Sequence, residues 1–204
     1  MLLQLPLELA RAIWYELDSY ADKATLILTC RRFQQAFNTD FYRSLTQSEY
    51  ESDMALVWAA SHGNEACMRN LLAHGLNPKT NECFDITKYT NFENHIFPRV
   101  DDHVEYHELM SSSIVACAAR LGHLGMVKLL IDAGANINCH GGNGDFPLIC
   151  AVGQGHVGVV SLLLDAGACA NLEIGGTGTL LVYASSRGFL DVVELLLKKR
   201  DLPT

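Results

Sequence analysis

Apolar residues in the second half of the chain fall into short clusters that return at a fixed interval. Gly122-His123-Leu124-Gly125-Met126-Val127, Gly155-His156-Val157-Gly158-Val159-Val160 and Gly188-Phe189-Leu190-Asp191-Val192-Val193 align without gaps, 33 residues apart. Each leads into an aliphatic run: Leu129-Leu130-Ile131, Leu162-Leu163-Leu164 and Leu195-Leu196-Leu197. A step of small residues stands upstream of each first glycine, at Ala118-Ala119, Ala151-Val152 and Ala184-Ser185. Two copies close with Asp-Ala-Gly-Ala, placing Gly134 and Gly167 again 33 residues apart. A weaker copy comes first: Ala59-Ala60, Gly63-Asn64, Leu71-Leu72 and Gly75 keep the same internal offsets.

This pattern predicts helix pairs. Alanines on a short first helix let neighbouring helices approach closely, and the glycine supplies a turn of positive φ. The second helix is apolar on two sides and too short to persist alone, so it requires a neighbour on each side. Ser113 and Thr179 are placed to cap first helices, and Pro147 suits a first helical position. Each unit exits toward a Gly/Asn-rich tip, such as Cys139-His140-Gly141-Gly142-Asn143-Gly144-Asp145 or Ile174-Gly175-Gly176-Thr177-Gly178. These tips lack the Gly-Lys-Ser/Thr ending of a phosphate loop and recur with the repeat, so they read as turn chemistry. The expected fold class is all-α: a small three-helix module followed by a solenoid of helix-turn-helix pairs with hairpin-like turns.

The units over residues 111–204 resemble ankyrin repeats, and residues 53–78 resemble a first, degenerate one. The family pattern of Thr-Pro-Leu-His, Ala-Ala, Gly-His, Val-Val, Leu-Leu and Gly-Ala is met with departures. Phe146-Pro147-Leu148-Ile149 keeps only Pro and Leu of the opening signature, and the other copies read Ser113-Ile114-Val115-Ala116 and Thr179-Leu180-Leu181-Val182. The histidine network of that signature is therefore missing, which implies a less rigid stack. His123 and His156 fall on the family's structural histidine. The resemblance implies a protein-binding module without catalysis. It also implies a concave face lined by the residues five, two and one places before each turn glycine. These are Trp58, Ser61 and His62; Cys117, Arg120 and Leu121; Cys150, Gly153 and Gln154; Tyr183, Ser186 and Arg187. Trp58, His62, Arg120, Gln154, Tyr183 and Arg187 form the candidate target-binding set. Aromatics and arginines are the usual interface anchors, and two arginines here suggest an acidic feature on the target.

The first 45 residues do not carry this period. Leu5, Leu9, Ile13 and Leu17 recur every four residues as one apolar stripe on a helix entered at Pro6. Leu26, Leu28, Cys30-Arg31-Arg32-Phe33, Phe37 and Phe41-Tyr42 complete a three-helix module. Leu5-Pro6-Leu7-Glu8-Leu9, Ile13, Leu17 and Cys30-Arg31-Arg32-Phe33 resemble an F-box. That resemblance implies a Skp-type adaptor as partner, and through it a cullin-based ubiquitin ligase. The adaptor-facing residues would be Leu5, Pro6, Leu9, Ile13, Leu26, Leu28, Cys30 and Phe33. The alternative is a helical cap shielding the first repeat of an ankyrin scaffold or inhibitor. Residues 46–52 read as a short linker or a continuation of helix.

Between the first repeat and the rest, residues 79–110 add length that the period does not explain, since Gly63 and Gly122 are 59 residues apart. The segment is aromatic and acidic, with seven acids against three bases. It is either an insertion or one degenerate repeat with a lengthened finger. His103 and His107 would share a helix face near Cys83, His95, Asp101 and Asp102. A catalytic zinc helix would want Glu where Val104 stands. No metal or cofactor is therefore expected, and an enzyme using the insertion remains the remote reading.

Bulk properties narrow the picture further. A net charge of −8 offers no basic field for a phosphate backbone, which argues against a nucleic-acid partner. No run of about 18 uncharged apolar residues is present, so no membrane span is expected. Met1 to Trp14 carries Glu8 and no basic flank, unlike an export signal. Seven scattered cysteines without a CxxC pair read as reduced core thiols of a cytoplasmic or nuclear protein.

Overall fold

The computed structural model describes residues 49–76, 78, 113–139, 146–174 and 178–200. Eight helices occur among them: α1 (Glu49–Ser61), α2 (Glu65–Ala73), α3 (Ile114–Arg120), α4 (Leu124–Asp132), α5 (Pro147–Gly153), α6 (Val157–Asp165), α7 (Leu180–Ser186) and α8 (Leu190–Arg200). One antiparallel ladder pairs β1 (Glu173–Ile174) with β2 (Gly178–Thr179), so the described fold is mostly helical with a single two-residue hairpin ladder.

The helices pair as α1–α2, α3–α4, α5–α6 and α7–α8, and the pairs stack in register. First helices form one layer, α1 on α3 on α5 on α7, and second helices form the other, α2 on α4 on α6 on α8. Alanine makes the first layer possible. Ala55, Ala59, Ala60, Ala116, Ala118, Ala119, Ala151 and Ala184 are all fully buried, where a larger side chain would push the backbones apart. The second layer supplies bulk, with Met68, Leu71, Met126, Leu130 and Leu163 enclosed between the layers. Helices of seven to nine residues, which would not persist alone, are held by this shared core.

Every first helix ends in the same way. Gly122 N–H donates to Ala119 O and His123 N–H to Ala118 O, the paired bonds of a Schellman stop, with φ of +73° at the glycine. The same two bonds recur at Gly63, Gly155 and Gly188. Ser113 caps α3 by accepting from Ala116 N–H at 3.2 Å, and Pro147 opens α5. Thr179 occupies the cap position of α7, where it also ends the β1–β2 ladder, and makes no side-chain cap bond.

Residues 49–52 form the start of α1, the helical one of the two readings of that segment; a stretch opening with Glu49, Glu51 and Asp53 suits the positive end of a helix. The unit of α1 and α2 packs directly on that of α3 and α4. The F-box-like segment, residues 46–48 and residues 79–110, with His103 and His107, lie outside the described residues.

The turn glycines provide a matched pair for testing this architecture. Gly155 and Gly188 have nearly equal φ, +73° and +77°, but a Cβ at Gly155 would lie 2.7 Å from the Phe189 ring and one at Gly188 would meet nothing. Gly188→Ala should cost about 1–2 kcal/mol of backbone strain. Gly155→Ala should cost about 1–3 kcal/mol more, for the displaced ring. Urea unfolding of the two variants measures the difference, and equal midpoints would refute the ring contact.

Candidate functional site

The junctions between units are where backbone, ring and surface side chains meet. In each, the first residue after a turn glycine lays its ring over the turn glycine of the preceding unit. His123 covers Gly63, His156 covers Gly122 and Phe189 covers Gly155; a Cβ on any of these glycines would fall within 2.6–2.8 Å of the ring. The histidines do more than fill space. His123 Nε2 lies 2.9 Å from Ser61 O and His156 Nε2 lies 3.0 Å from Arg120 O. A carbonyl only accepts, so Nε2 carries the proton in both rings. Each bond satisfies a carbonyl at the C-terminus of the preceding first helix, two residues before its glycine. The stack is therefore tied by histidine after all, at this position rather than in the missing opening signature.

At the third junction the donor is different. Phe189 has no N–H, and the equivalent carbonyl, Gly153 O, instead accepts from Arg187 Nη2 at 2.9 Å. The task has moved from the ring to the residue two places before it. Tyr183 packs in the same corner. A Cβ on Gly153 would lie 2.8 Å from its Oη, so the bare glycine is what admits the phenol between α5 and α7.

The candidate target-binding residues divide accordingly. His62 and Gln154 are exposed at the ends of α1 and α5, and Ser61 Oγ and His62 Nδ1 are 3.0 Å apart. Arg120 is half-buried and its Nη2 donates to Cys150 Sγ at 3.7 Å. Tyr183 is half-buried, while Arg187 is exposed despite its bond to Gly153. Trp58 lies on α1, with its side chain outside the described set. The positions five before the glycine do not line an open face in the second and third repeats. Cys117 is 0% exposed and Cys150 6%, because α3 and α5 press together there. Burial pushes the Cys117 thiol up to about 12, so it stays protonated and is no nucleophile near neutral pH. Cys67 and Cys139 are likewise buried and Cys169 is exposed.

Outside this face, the turns and second helices are cross-linked by polar contacts. Asn138 Oδ1 accepts from Cys169 N–H at 3.0 Å, joining successive exit turns. Lys199 pairs with Asp165 across α6 and α8, and that hydrogen bond holds the Asp165 carboxyl below its ordinary value. Among the described residues no cluster of three or more His, Cys, Asp or Glu is placed to hold a metal ion. Among them, too, no helix is long and apolar enough to cross a membrane.

The switch from His to Arg187 predicts a coupling. Arg187→Ala should destabilise the chain by about 1 kcal/mol by leaving Gly153 O without its donor. In a Phe189→His background the new imidazole supplies that donor, and the same substitution should cost only a small fraction of this. A double-mutant cycle on urea midpoints reads the interaction, and strict additivity would show that the two side chains do not share the carbonyl.

Residues 114–203 match the family model described as ankyrin repeats, in three copies, and no F-box is detected in the chain. No curated protein matches the sequence. The three units of residues 114–203 are thus ankyrin repeats, which indicate a protein-binding role.

Proposed function

We propose that the chain is the substrate-recognition subunit of an SCF-type ubiquitin ligase, with its repeats holding the target and its N-terminal helices docking a Skp-type adaptor. The observation that carries the binding half is the continuous inner layer of α1, α3, α5 and α7, which ends in a row of exposed or half-exposed side chains at the turns. His62, Gln154 and Arg187 stand one place before their turn glycines along that row, Arg120 two places before and Tyr183 five places before, and Trp58 on α1 is likewise five places before its glycine. An array of junctions fixed by ring-on-glycine contacts presents such a row with little conformational freedom, which lowers the entropic cost of holding a partner.

The ligase half is supported by the ordered motif of Leu5, Pro6, Leu9, Ile13, Leu26, Leu28, Cys30 and Phe33 in the first 45 residues. A subunit of this kind performs no chemistry. It raises the local concentration of a target near the ubiquitin donor, so its contribution to rate is positional.

The full chain should co-purify with a Skp-type adaptor, and Leu9→Asp together with Ile13→Asp should abolish that association while leaving the repeats folded. Adaptor binding that survives both changes rules out the F-box assignment. Removal of residues 1–45 that lowers stability but spares target binding and biological function would favour the other reading, an ankyrin scaffold or inhibitor with a structural cap.

A further inference from the structure

In the last three units the described acids are kept off the first-helix layer, while the second helices carry both signs, with Lys128, Lys198, Lys199 and Arg200 among the acids. Helices α3, α5 and α7 and the residues that close them carry Arg120 and Arg187 and no Asp or Glu. The described acids of these units, apart from Glu173 on β1, are Asp132, Asp165, Asp191 and Glu194, all on second helices. In a chain of net charge −8 this cation-only strip is an arrangement, not an average property.

The strip has one well-formed corner, at the junction of α5 and α7. Arg187 is exposed, yet its Nη2 is anchored on Gly153 O at 2.9 Å, so the guanidinium is held in place before any partner arrives. A guanidinium has five N–H donors, and this anchor uses one side of the fork. The Tyr183 phenol lies against Gly153 in the same corner, and the exposed Gln154 borders it. We propose that this corner takes an Asp or Glu carboxylate from an acidic segment of the protein partner. Arg187 is the charged donor, and Tyr183 and Gln154 are neutral donors beside it. The assignment rests on the inner face being the target-binding surface. A carboxylate fits better than a phosphate, because one guanidinium with part of its fork committed matches one monoanion, whereas a dianion draws clustered cations. Arg120, two units back on the same layer, extends the positive field along the path of an acidic segment.

The test uses the full chain and a fluorescent poly-glutamate peptide, followed by anisotropy. Since Arg187 also ties the stack, the charge is removed in a background that supplies a substitute donor. Phe189→His keeps the Arg187 charge and should still bind the peptide saturably, with affinity falling as salt rises. Phe189→His with Arg187→Gln should keep the thermal midpoint and bind about tenfold more weakly, the loss of one charge-assisted hydrogen bond. Absence of saturable peptide binding by the native chain, or equal affinity in the two variants, overturns the proposal. The underlying reading is separated by a purified target protein. If Gln154→Trp blocks that target while Phe189→His with Arg187→Gln retains it, the carboxylate assignment falls and the inner face stands. If neither change affects the target, the inner face itself is the wrong surface.

Discussion

The stack depends on one contact: a ring from each unit resting on the bare α-carbon of the preceding turn. The turn glycine meets two demands at once. Its positive φ ends the first helix with both Schellman bonds, and its missing side chain leaves room for the ring that follows one unit later. Either demand alone would tolerate compromise, since asparagine adopts left-handed backbone and a smaller neighbour relieves a clash. Together they leave glycine as the residue that satisfies both at Gly63, Gly122 and Gly155. This contact also explains how the first repeat joins the others across a long stretch of intervening chain. His123 reaches Gly63 and Ser61 in the same way that His156 reaches Gly122 and Arg120.

The three junctions share this geometry but not its chemistry. A helix that stops at a turn leaves carbonyls without intrahelical partners, and a half-buried carbonyl left bare costs about as much as a lost hydrogen bond. Histidine solves the packing and the carbonyl together. Phenylalanine at position 189 solves only the packing, and Arg187 supplies the bond from outside. The exchange keeps the seam closed and places a fixed cation on the surface where the other junctions have an imidazole tucked against the turn.

Much of this was legible in the sequence. The 33-residue period, the positive-φ glycines, the Ser113 cap and Pro147 at the head of α5 follow from residue type and spacing alone. Periodicity fixes where a residue points around its own helix, but not which neighbour covers it. Cys117 and Cys150 were therefore assigned to an open face although α3 and α5 close over them. Thr179 does stand at the cap position that its residue type suggests, but residue type does not fix the hydroxyl's direction, and it makes no side-chain cap bond. Spatial adjacency of the first two units was hidden because chain separation does not record which surfaces meet. The Arg187 bond did leave a signal: one unit carries Phe where its neighbours carry His, so a replacement donor was owed within reach of the same carbonyl.

The position of that replacement bears on how binding and folding are linked. Arg187 is anchored through one nitrogen, so an anion arriving at its remaining donors need not break the bond to Gly153. Recognition at this corner would add to the tie between α5 and α7 instead of competing with it. A partner that binds only the stacked form stabilises that form in proportion to its occupancy. The effect should concentrate at the third junction, where the carbonyl is held by a surface side chain rather than by a ring locked over a glycine. Histidine at position 189 would make the seam independent of the surface, but it would also free Arg187 to move. The pairing of Phe189 with Arg187 thus gives a less autonomous seam and a more fixed cation, a combination that favours binding over bare stability.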